Sequence, residues 1–375
     1  MALRSWLLDH VLAREVDARV QAALKAVDDP YWRNVTDGQP QARPWHEVRA
    51  TLERTAELAR TNPLAARLVT MTTDFVVGSG ARLTGAPWAH TFWDDPLNRI
   101  GGRVYRWCDE LSRSGELFLV LSRNPVSRMS YVREVPALLI DRIETDPDDL
   151  EREIRYHQLS ADPEGRWWPG SADTEADQVM VHYAINRGAG DVRGLSDLAQ
   201  IAVWLERYTM WLEDRVRINR YKGAYLWHVK VEGALLGQLE ARRAQYARIP
   251  NPGSIIVTDG HETWTAVQPS IAADDVEADG KAIRLMIAAG SGVPLHFLAE
   301  GESATRATAH EMGTATYRHF AHRQHVFSTI VEDIIRVAAR RAGLGEIEVA
   351  VEFESVFAEK DEVRGMNEAG SVALG

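Results

Sequence analysis

Four histidines are the residues of this sequence that most directly suggest chemistry, because imidazole nitrogens are common zinc ligands. Steps of three residues place three of them on adjoining faces of a predicted helix, where Glu311 is only a remote candidate for a further ligand. The alternative, which the spacing favours, is that they are solvated or lie between subunits, so no metal and no other cofactor is predicted. These histidines are His310, His319, His322 and His325.

Other groups that could do chemistry are better explained by local structure. The paired acids Asp94-Asp95 and Asp274-Asp275 are typical of a turn and of a helix N-terminus, where the helix dipole favours negative charge, rather than of a two-metal nuclease. The segment Gly78-Ser79-Gly80 is too short to cradle a phosphate, and no glycine-rich loop with a lysine is present to bind ATP. The sequence therefore predicts no catalytic residues and no enzyme.

The composition argues against several classes of protein. The 375 residues carry a net charge of −11 and one cysteine, Cys108, so a disulfide framework is excluded and a reducing compartment is expected. A sequence-reading DNA-binding protein is not expected, because binding to phosphates usually requires a basic excess. Residues 1–13 lack a signal-peptide pattern, and no apolar stretch approaches the length that crosses a bilayer, so no membrane association is predicted.

The elements of the first half follow an α+β pattern. Apolar residues recur at steps of three and four over residues 51–71, which predicts helix, and Phe75-Val76-Val77 is a strand-like run that ends in glycines. A helix is predicted around residues 104–112. Strands are predicted at 116–121, 137–143, 153–159 and 178–185, separated by turns rich in Asp, Pro and Gly.

From Gly194 onwards the pattern changes to long helices around a small module. Ser196 is predicted to cap a helix that reaches about Lys222 and whose apolar stripe is wide enough to need more than one neighbour. The later elements are a strand, helix, strand, strand module over 225–267, a helix over 274–289, a loop or frayed helix start over 300–309, a long helix to about Ala342, and a strand from Ile347.

This order of elements resembles that of the portal proteins of tailed bacteriophages, of the lambda-like (siphovirus) type. Asn186–Leu198 is similar to the start of the family's first stem helix, Pro252–Val257 to its clip strand, and Ile287–Leu298 to the junction before its tunnel loop. Upstream, Asn62-Pro63, Val77–Gly80 and Gly115–Phe118 are similar to the wing of lambda-like portals. The resemblance covers roughly residues 50–355, and it depends on the order of these motifs more than on any one of them.

The resemblance implies an α+β portal fold that assembles as a ring, with long stem helices, an α+β wing domain and a small inserted α/β clip module. The implied parts are the first part of the wing at 1–194, stem helix 1 at 195–222, the clip at 223–271, stem helix 2 at 272–290, the tunnel-loop region at 291–309, the rest of the wing at 310–355, and the start of a minimal or truncated crown at 356–375.

As a function, the resemblance implies a ring-shaped channel at one capsid vertex, through which double-stranded DNA is packaged and later ejected. The implied partners are further copies of the chain, typically twelve in all, the large terminase subunit that carries the ATP-driven motor, the head–tail adaptor, the major capsid and scaffolding proteins, and the passing DNA. The implied location is the virion, after assembly in the cytoplasm of a bacterial host. An acidic chain suits a channel that guides DNA through weak, reversible contacts.

The resemblance also assigns residues to the channel. Small and polar side chains in the tunnel loop would allow it to move against the duplex, and Arg306 could touch phosphates transiently; an ordinary surface linker is the alternative. The tunnel-loop residues are Leu298, Ala299, Glu300, Gly301, Glu302, Ser303, Ala304, Thr305, Arg306, Ala307 and Thr308. The stem residues are Trp204, Tyr208, Trp211, Asp274, Asp275, Glu277, Lys281 and Arg284, and the alternative for their helices is burial in a monomer core.

The clip would dock the terminase and then the adaptor, because exposed strand edges can pair with another chain. Pairing of these strands between subunits of the ring is an equally good interpretation. The docking residues would be Tyr225, Trp227, Lys230, Arg242, Arg243, Tyr246 and Arg248. Two other functions stay open: the portal of a domesticated, phage-like gene transfer particle and, from a different class, a metal-dependent hydrolase that uses the helix histidines.

Overall fold

The computed structural model describes most of the chain and divides it into two compact units. Unit 1 comprises residues 1–53, 81–196 and 328–352, and unit 2 comprises residues 54–80, 197–327 and 353–375. The described residues are 43–146, 149, 151–223, 226–233, 240–241, 243, 260–267, 276–298 and 306–356, with the backbone alone at 221–223, 226–227, 266–267, 276 and 306–314.

Helices and strands of the described residues are numbered in chain order. The helices are α1 (Trp45–Thr61), α2 (Pro63–Val76), α3 (Pro87–Asp94), α4 (Ile100–Ser114), α5 (Ala202–Gly223), α6 (Val276–Ser291), α7 (Leu295–Leu298) and α8 (Arg306–Ala342). The strands are β1 (Ala81–Gly85), β2 (Glu116–Arg123), β3 (Ser130–Val135), β4 (Ile140–Thr145), β5 (Glu153–Gln158), β6 (Arg166–Pro169), β7 (Gln178–Ala184), β8 (Leu226–Val231), β9 (Glu262–Val267) and β10 (Val349–Phe353). Within these described segments, no helix has the length and apolar character that a bilayer span requires.

Two antiparallel three-stranded sheets organise unit 1. In one sheet β2 lies between β3 and β7, so that Phe118 is opposite Val135 on one side and His182 on the other. In the other sheet β5 lies between β4 and β6. The first six residues of β2 are all buried, which explains why this strand is a nearly continuous apolar run rather than an alternating one. Strands β1 and β10 form a separate pair.

A single hydrophobic cluster joins the two sheets of unit 1 to helix α1. Aromatic rings give it much of its volume: Tyr156 meets Phe118 edge to face at a centroid distance of 6.1 Å, a favourable aromatic geometry. Its buried members are Val48, Leu52, Phe118, Val120, Ala137, Ile140, Tyr156, Trp168 and Met180. Because α1 contributes only Val48 and Leu52, the strands dominate this core.

The predicted α+β class and most of the predicted elements are confirmed, and two local predictions are wrong. Phe75-Val76-Val77 is the end of α2 and not a strand, because Asn62 caps that helix through the amides of Leu64 and Ala65 and the helical turn continues to Val76. Residues 137–139 form a short 3₁₀ helix before β4. Strands β1, β3 and β6 were not predicted from the sequence; β6 has only four residues, too few to show a period.

The predicted cap of the first stem helix is also wrong. Helix α5 begins at Ala202, and Ser196 instead donates its hydroxyl hydrogen to the carbonyl oxygen of Ser112, 3.1 Å away in unit 1. Neighbouring Leu195 lies against Gly115, whose φ of +81° ends α4; a Cβ at Gly115 would come within 2.3 Å of the Leu195 carbonyl carbon. Residues 195 and 196 are therefore held as irregular backbone.

A buried network of charges holds the same segment in unit 1. The guanidinium of Arg193 donates through Nε and Nη2 to the two oxygens of Glu116, at 2.6 Å each, and through Nη1 to the carbonyl oxygen of Ile140 at 2.7 Å. His182 lies between two acids, with Nδ1 2.9 Å from Glu153 and Nε2 3.4 Å from Glu116. The Arg193–Glu116 pair thus has the bidentate geometry that favours a buried ion pair, and His182 is flanked by carboxylates on both sides.

The network changes the proton affinity of its members. Burial opposes ionisation of Glu116, but Arg193 and His182 outweigh it and lower the pKa of Glu116 to about 2. Burial likewise opposes the charged form of His182, yet the carboxylates of Glu153 and Glu116 raise the pKa of His182 to about 9. His182 is therefore a cation at neutral pH.

We predict that unit 1 loses stability at alkaline pH, because His182 loses the proton through which it stabilises the fold. Since the folded-state pKa of His182 is raised, its contribution is complete below the unfolded value of about 6.5 and is lost as pH rises through about 9. The measurement is urea denaturation of the wild type and of His182→Gln between pH 6 and pH 10. The free-energy gap between the two proteins should narrow above pH 6.5, whereas the exposed control His46→Gln should match the wild type throughout. A constant gap would contradict the prediction.

Candidate functional site

The two predicted stem helices, α5 and α6, pack against each other within unit 2. Gly280 of α6 faces the indole of Trp211, so closely that a Cβ at Gly280 would lie 2.6 Å from Cη2 of that ring. Farther along, Gly290 faces Ile201, just before α5, where an added Cβ would lie 2.4 Å from Cγ2. The contact nearer the start of α5 lies nearer the end of α6, so the two helices are antiparallel. Two glycines thus permit a close approach that larger residues would block.

The other side of α5 is attached to α1 and α2. Arg54 of α1 donates to both oxygens of Glu206 at 2.7 and 2.5 Å. This hydrogen-bonded pair lowers the pKa of Glu206. Asn62, besides capping α2, donates its amide hydrogen to the hydroxyl of Thr209 at 3.0 Å. The first half of α5 is therefore positioned by polar contacts on one side and by α6 on another.

Helix α6 has an exposed apolar stripe on the face away from α5. Its contact face with α5 includes Gly280 and the buried Ile287. Small and apolar residues occupy the opposite face at steps of four, three and four, the spacing of a helix that packs against another helix. They are Ala278, Ala282, Leu285 and Ala289, with Met286 beside them, and the exposed fractions of Leu285 and Met286 are 50% and 45%.

Helix α5 has a second exposed apolar face. Val203 and Met210 lie seven residues apart on the side away from the contact with α6, and Met210 is 56% exposed. The α6 stripe and this α5 face are therefore two different exposed apolar surfaces of the helix pair. Leu212 and Val216, predicted as part of the packed stripe of this helix, are exposed as well, so the predicted stripe is only partly covered in unit 2.

The predicted stem residues differ in how far they are buried. Tyr208 and Trp211 are half-buried and stack at a centroid distance of 5.8 Å, and Arg207 lies over the half-buried ring of Trp204 at 4.8 Å. Glu277 and Lys281 are exposed on α6, Arg284 is half-buried, and Asp274 and Asp275 lie outside the described residues.

The described part of the predicted clip is a pair of antiparallel strands. β8 and β9 pair from Leu226 opposite Val267 to Val231 opposite Glu262. Lys230 is exposed and forms an ion pair with Glu232 at 2.8 Å, and Arg243 is exposed. Of the other predicted docking residues, Trp227 is described by its backbone in β8, and Tyr225, Arg242, Tyr246 and Arg248 lie outside the described residues.

The predicted tunnel-loop region includes the start of a helix, one of the two structures that the sequence left open for residues 300–309. Leu298 ends the one-turn helix α7, and α8 begins at Arg306, so Arg306, Ala307 and Thr308 belong to the helix rather than to the loop. The remaining predicted loop residues, 299–305, lie outside the described residues. On either side of them, Phe297 and Tyr317 have ring centroids 6.2 Å apart, and Phe75 of α2 packs against both.

The helix histidines do not form a metal-binding group in the described structure. His319, His322 and His325 are exposed on α8, and the side chain of His310 lies outside the described set. Burial on its inner side and the cation of Arg323 lower the pKa of His319, and the same cation opposes binding of a metal ion there. Among the side chains described, no three His, Cys, Asp or Glu groups converge in a metal-binding arrangement.

Several residues that shape this site escaped the sequence reasoning. Gly280 was treated as an ordinary helix position, and Met210, Leu285 and Met286 received no role. The four-three-four spacing of small and apolar residues in α6 was visible in the sequence and could have identified the stripe. The inner and outer faces of α6 could not be distinguished without knowing where α5 packs.

We predict opposite effects of alanine at two helical glycines. Helix propensity alone favours alanine over glycine by about 1 kcal/mol. At Gly102 of α4, where an added Cβ meets nothing within 4 Å, Gly102→Ala should therefore raise the free energy of unfolding by about 0.5–1 kcal/mol. At Gly280 the clash with Trp211 should reverse the sign and cost about 1–3 kcal/mol. Urea denaturation of both variants measures this, and a stabilised Gly280→Ala variant would refute the close packing.

The comparisons with known proteins bear on this arrangement of helices and sheets. No family model matches the chain, and no curated protein is significantly similar to it. Among solved structures, a chain in the virion of a native gene transfer agent particle is 18% identical, with 86% of this chain and 89% of that chain covered and a TM-score of 0.62.

Two further solved structures are similar. A chain in the neck of the native gene transfer agent particle, computed with C12 symmetry, is 16% identical, with 89% of this chain and 91% of that chain covered and a TM-score of 0.59. An HK97-family phage portal protein from Corynebacterium diphtheriae is 12% identical, with 68% and 83% of the chains covered and a TM-score of 0.42. This chain therefore has a mixed helix-and-sheet fold that it shares with chains of gene transfer agent particles, and at the level of the fold this agrees with the predicted class.

Proposed function

We propose that this protein is a portal subunit that assembles into a ring, typically of twelve copies, at one vertex of a phage or phage-derived particle. Double-stranded DNA would enter and leave the particle through the ring. The fold shared with gene transfer agent chains, and the order of sequence motifs from Asn186 to Leu298, support this function.

One observation carries the proposal: the α5–α6 pair has two different exposed apolar faces, one on each helix. A two-fold dimer joins the same patch on both copies, so it would cover one face and leave the other exposed. A head-to-tail contact instead places the α6 stripe of one copy against Val203 and Met210 of the next copy. Repeated contacts of this kind close into a ring in which every subunit has both faces covered. The neck chain computed with C12 symmetry supports twelve copies.

Within such a ring, we assign roles to the tunnel-loop region, the clip and the wing. The segment between α7 and α8 would face the passing duplex, with Arg306 at the start of α8, and the β8–β9 module would dock the terminase motor during packaging and the head–tail adaptor afterwards. The capsid and scaffolding proteins would contact the wing. A net charge of −11 favours weak, salt-screened contacts with DNA, which allow the duplex to slide.

A phage-like gene transfer particle is the second candidate setting. The two solved structures with TM-scores above 0.5 reported above both come from gene transfer agent particles, which supports it. The proposed ring and channel geometry would be the same in either kind of particle. A metal-dependent hydrolase has no such support, since neither the histidines of α8 nor the fold favours it.

The decisive experiment is to measure the mass of the purified full-length protein by native mass spectrometry and to image it by electron microscopy. We expect rings of about a dozen copies with a central hole. Leu285→Glu and Met210→Glu should each reduce the ring fraction about tenfold or more, because each buries an unpaired carboxylate in the contact.

A matched control introduces the same charge elsewhere. Val126, in the turn between β2 and β3, is 92% exposed, and Val126→Glu should leave the rings intact. A stable monomer at high concentration, or rings that tolerate Leu285→Glu and Met210→Glu as well as they tolerate Val126→Glu, would show that the proposed contact is wrong.

A further inference from the structure

Two methionines stand out on the faces that the proposed ring would cover. Met210 of α5 and Met286 of α6 are exposed, whereas Met71 and Met180 are buried and Met129 is half-buried. Among the methionines whose side chains the structure describes, the exposed ones therefore both lie on the outer faces of the stem pair. Methionine is common in contacts between proteins, because its flexible, polarisable thioether adapts to irregular surfaces.

We propose that Met210 and Met286 are a redox-sensitive modification site that controls assembly, an inference that rests on the proposed ring. A peroxide would oxidise each thioether while the subunit is free. One peroxide oxygen is transferred to sulfur, the O–O bond breaks, and the other oxygen leaves as water, so sulfur loses two electrons and the peroxide gains them. The product, methionine sulfoxide, is returned to the thioether by sulfoxide reductases with electrons from a thiol.

The position of the two residues explains why oxidation would matter. In the head-to-tail contact, Met286 of one copy and Met210 of the next belong to the same apolar layer, so every contact around the ring contains both. Oxidation gives each side chain a strongly polar S=O group, which would be buried without a partner. The free subunit is vulnerable and the finished ring is protected, because assembly covers both sulfur atoms.

The test compares hydrogen peroxide treatment before and after assembly of the full-length protein. Peptide mass spectrometry should find Met210 and Met286 oxidised at least about tenfold faster in the free subunit than Met71 and Met180, and protected in the ring. Subunits oxidised first should then form about tenfold fewer rings, and sulfoxide reductase treatment should restore them. The double variant Met210→Leu, Met286→Leu should lose no rings to peroxide relative to its own untreated sample, since leucine is apolar and has no reactive sulfur.

Two results would overturn the inference while leaving the ring itself intact. One is normal assembly of subunits oxidised at both methionines, and the other is equal peroxide sensitivity of the wild type and the double leucine variant. If untreated protein forms no rings at all, the proposed function fails and this inference fails with it, so the two failures are distinguished by the untreated sample.

Discussion

The close packing of α5 against α6 is the constraint on which the functional interpretation depends. Gly280 and Gly290 allow the two helices to approach until Trp211 and Ile201 fill the space between them. This contact decides which residues become inner and which become outer. With Trp211 in the contact, Met210 lies to one side of it and is exposed, because neighbouring residues on a helix are about 100° apart. The exposed apolar faces are therefore a consequence of how the pair packs.

In unit 1 the main physical constraint is different, because charged side chains lie in its core and need partners there. Glu116 begins the buried central strand β2, and Arg193 pairs with its carboxylate. Without this partner, the buried charge would strongly lower the free energy of unfolding. The guanidinium also lies 5.5 Å from the rings of Trp45 and Phe118, so it is covered by aromatic surface as well as paired. The segment from Arg193 to Ser196, which precedes α5 in the chain, is thus held by buried polar bonds rather than by helical structure.

Periodicity predicted the long helices and the well-buried strands, because those elements repeat over enough residues for a pattern to emerge. It failed where a distant partner decides the local structure. Ser196 has the sequence of a helix cap, but its hydroxyl bonds to Ser112, and this partner is remote in sequence. Phe75-Val76-Val77 has strand propensity, yet the cap at Asn62 and the preceding turns keep it helical. The charge network shows the same limit, since Glu116 is separated by dozens of residues from both His182 and Arg193.

The resemblance to portal proteins predicted the fold, but the contact residues came from the structure. The aromatic residues Trp204, Tyr208 and Trp211 were expected in the stem. Within their own subunit, Tyr208 stacks on Trp211 and Arg207 lies over the ring of Trp204. The α6 stripe around Leu285 and the α5 face around Met210 stay exposed in the subunit, as do Leu212 and Val216. The difference between the stripe and the Met210 face is the reason for proposing a head-to-tail ring rather than a two-fold dimer.

Cysteine cross-linking tests this central claim most directly. The native Cys108 is buried, so new cysteines at positions 210 and 285 would be the accessible thiols among the described residues. In the proposed head-to-tail ring, residue 210 of one copy would lie against residue 285 of the next, and a disulfide between them requires about 4 Å between their Cβ atoms. Under mild oxidation, the account predicts that Met210→Cys or Leu285→Cys alone gives no covalent oligomers and that the double variant gives a ladder ending at the closed ring. Covalent dimers from either single variant, or no ladder from the double variant, would contradict it.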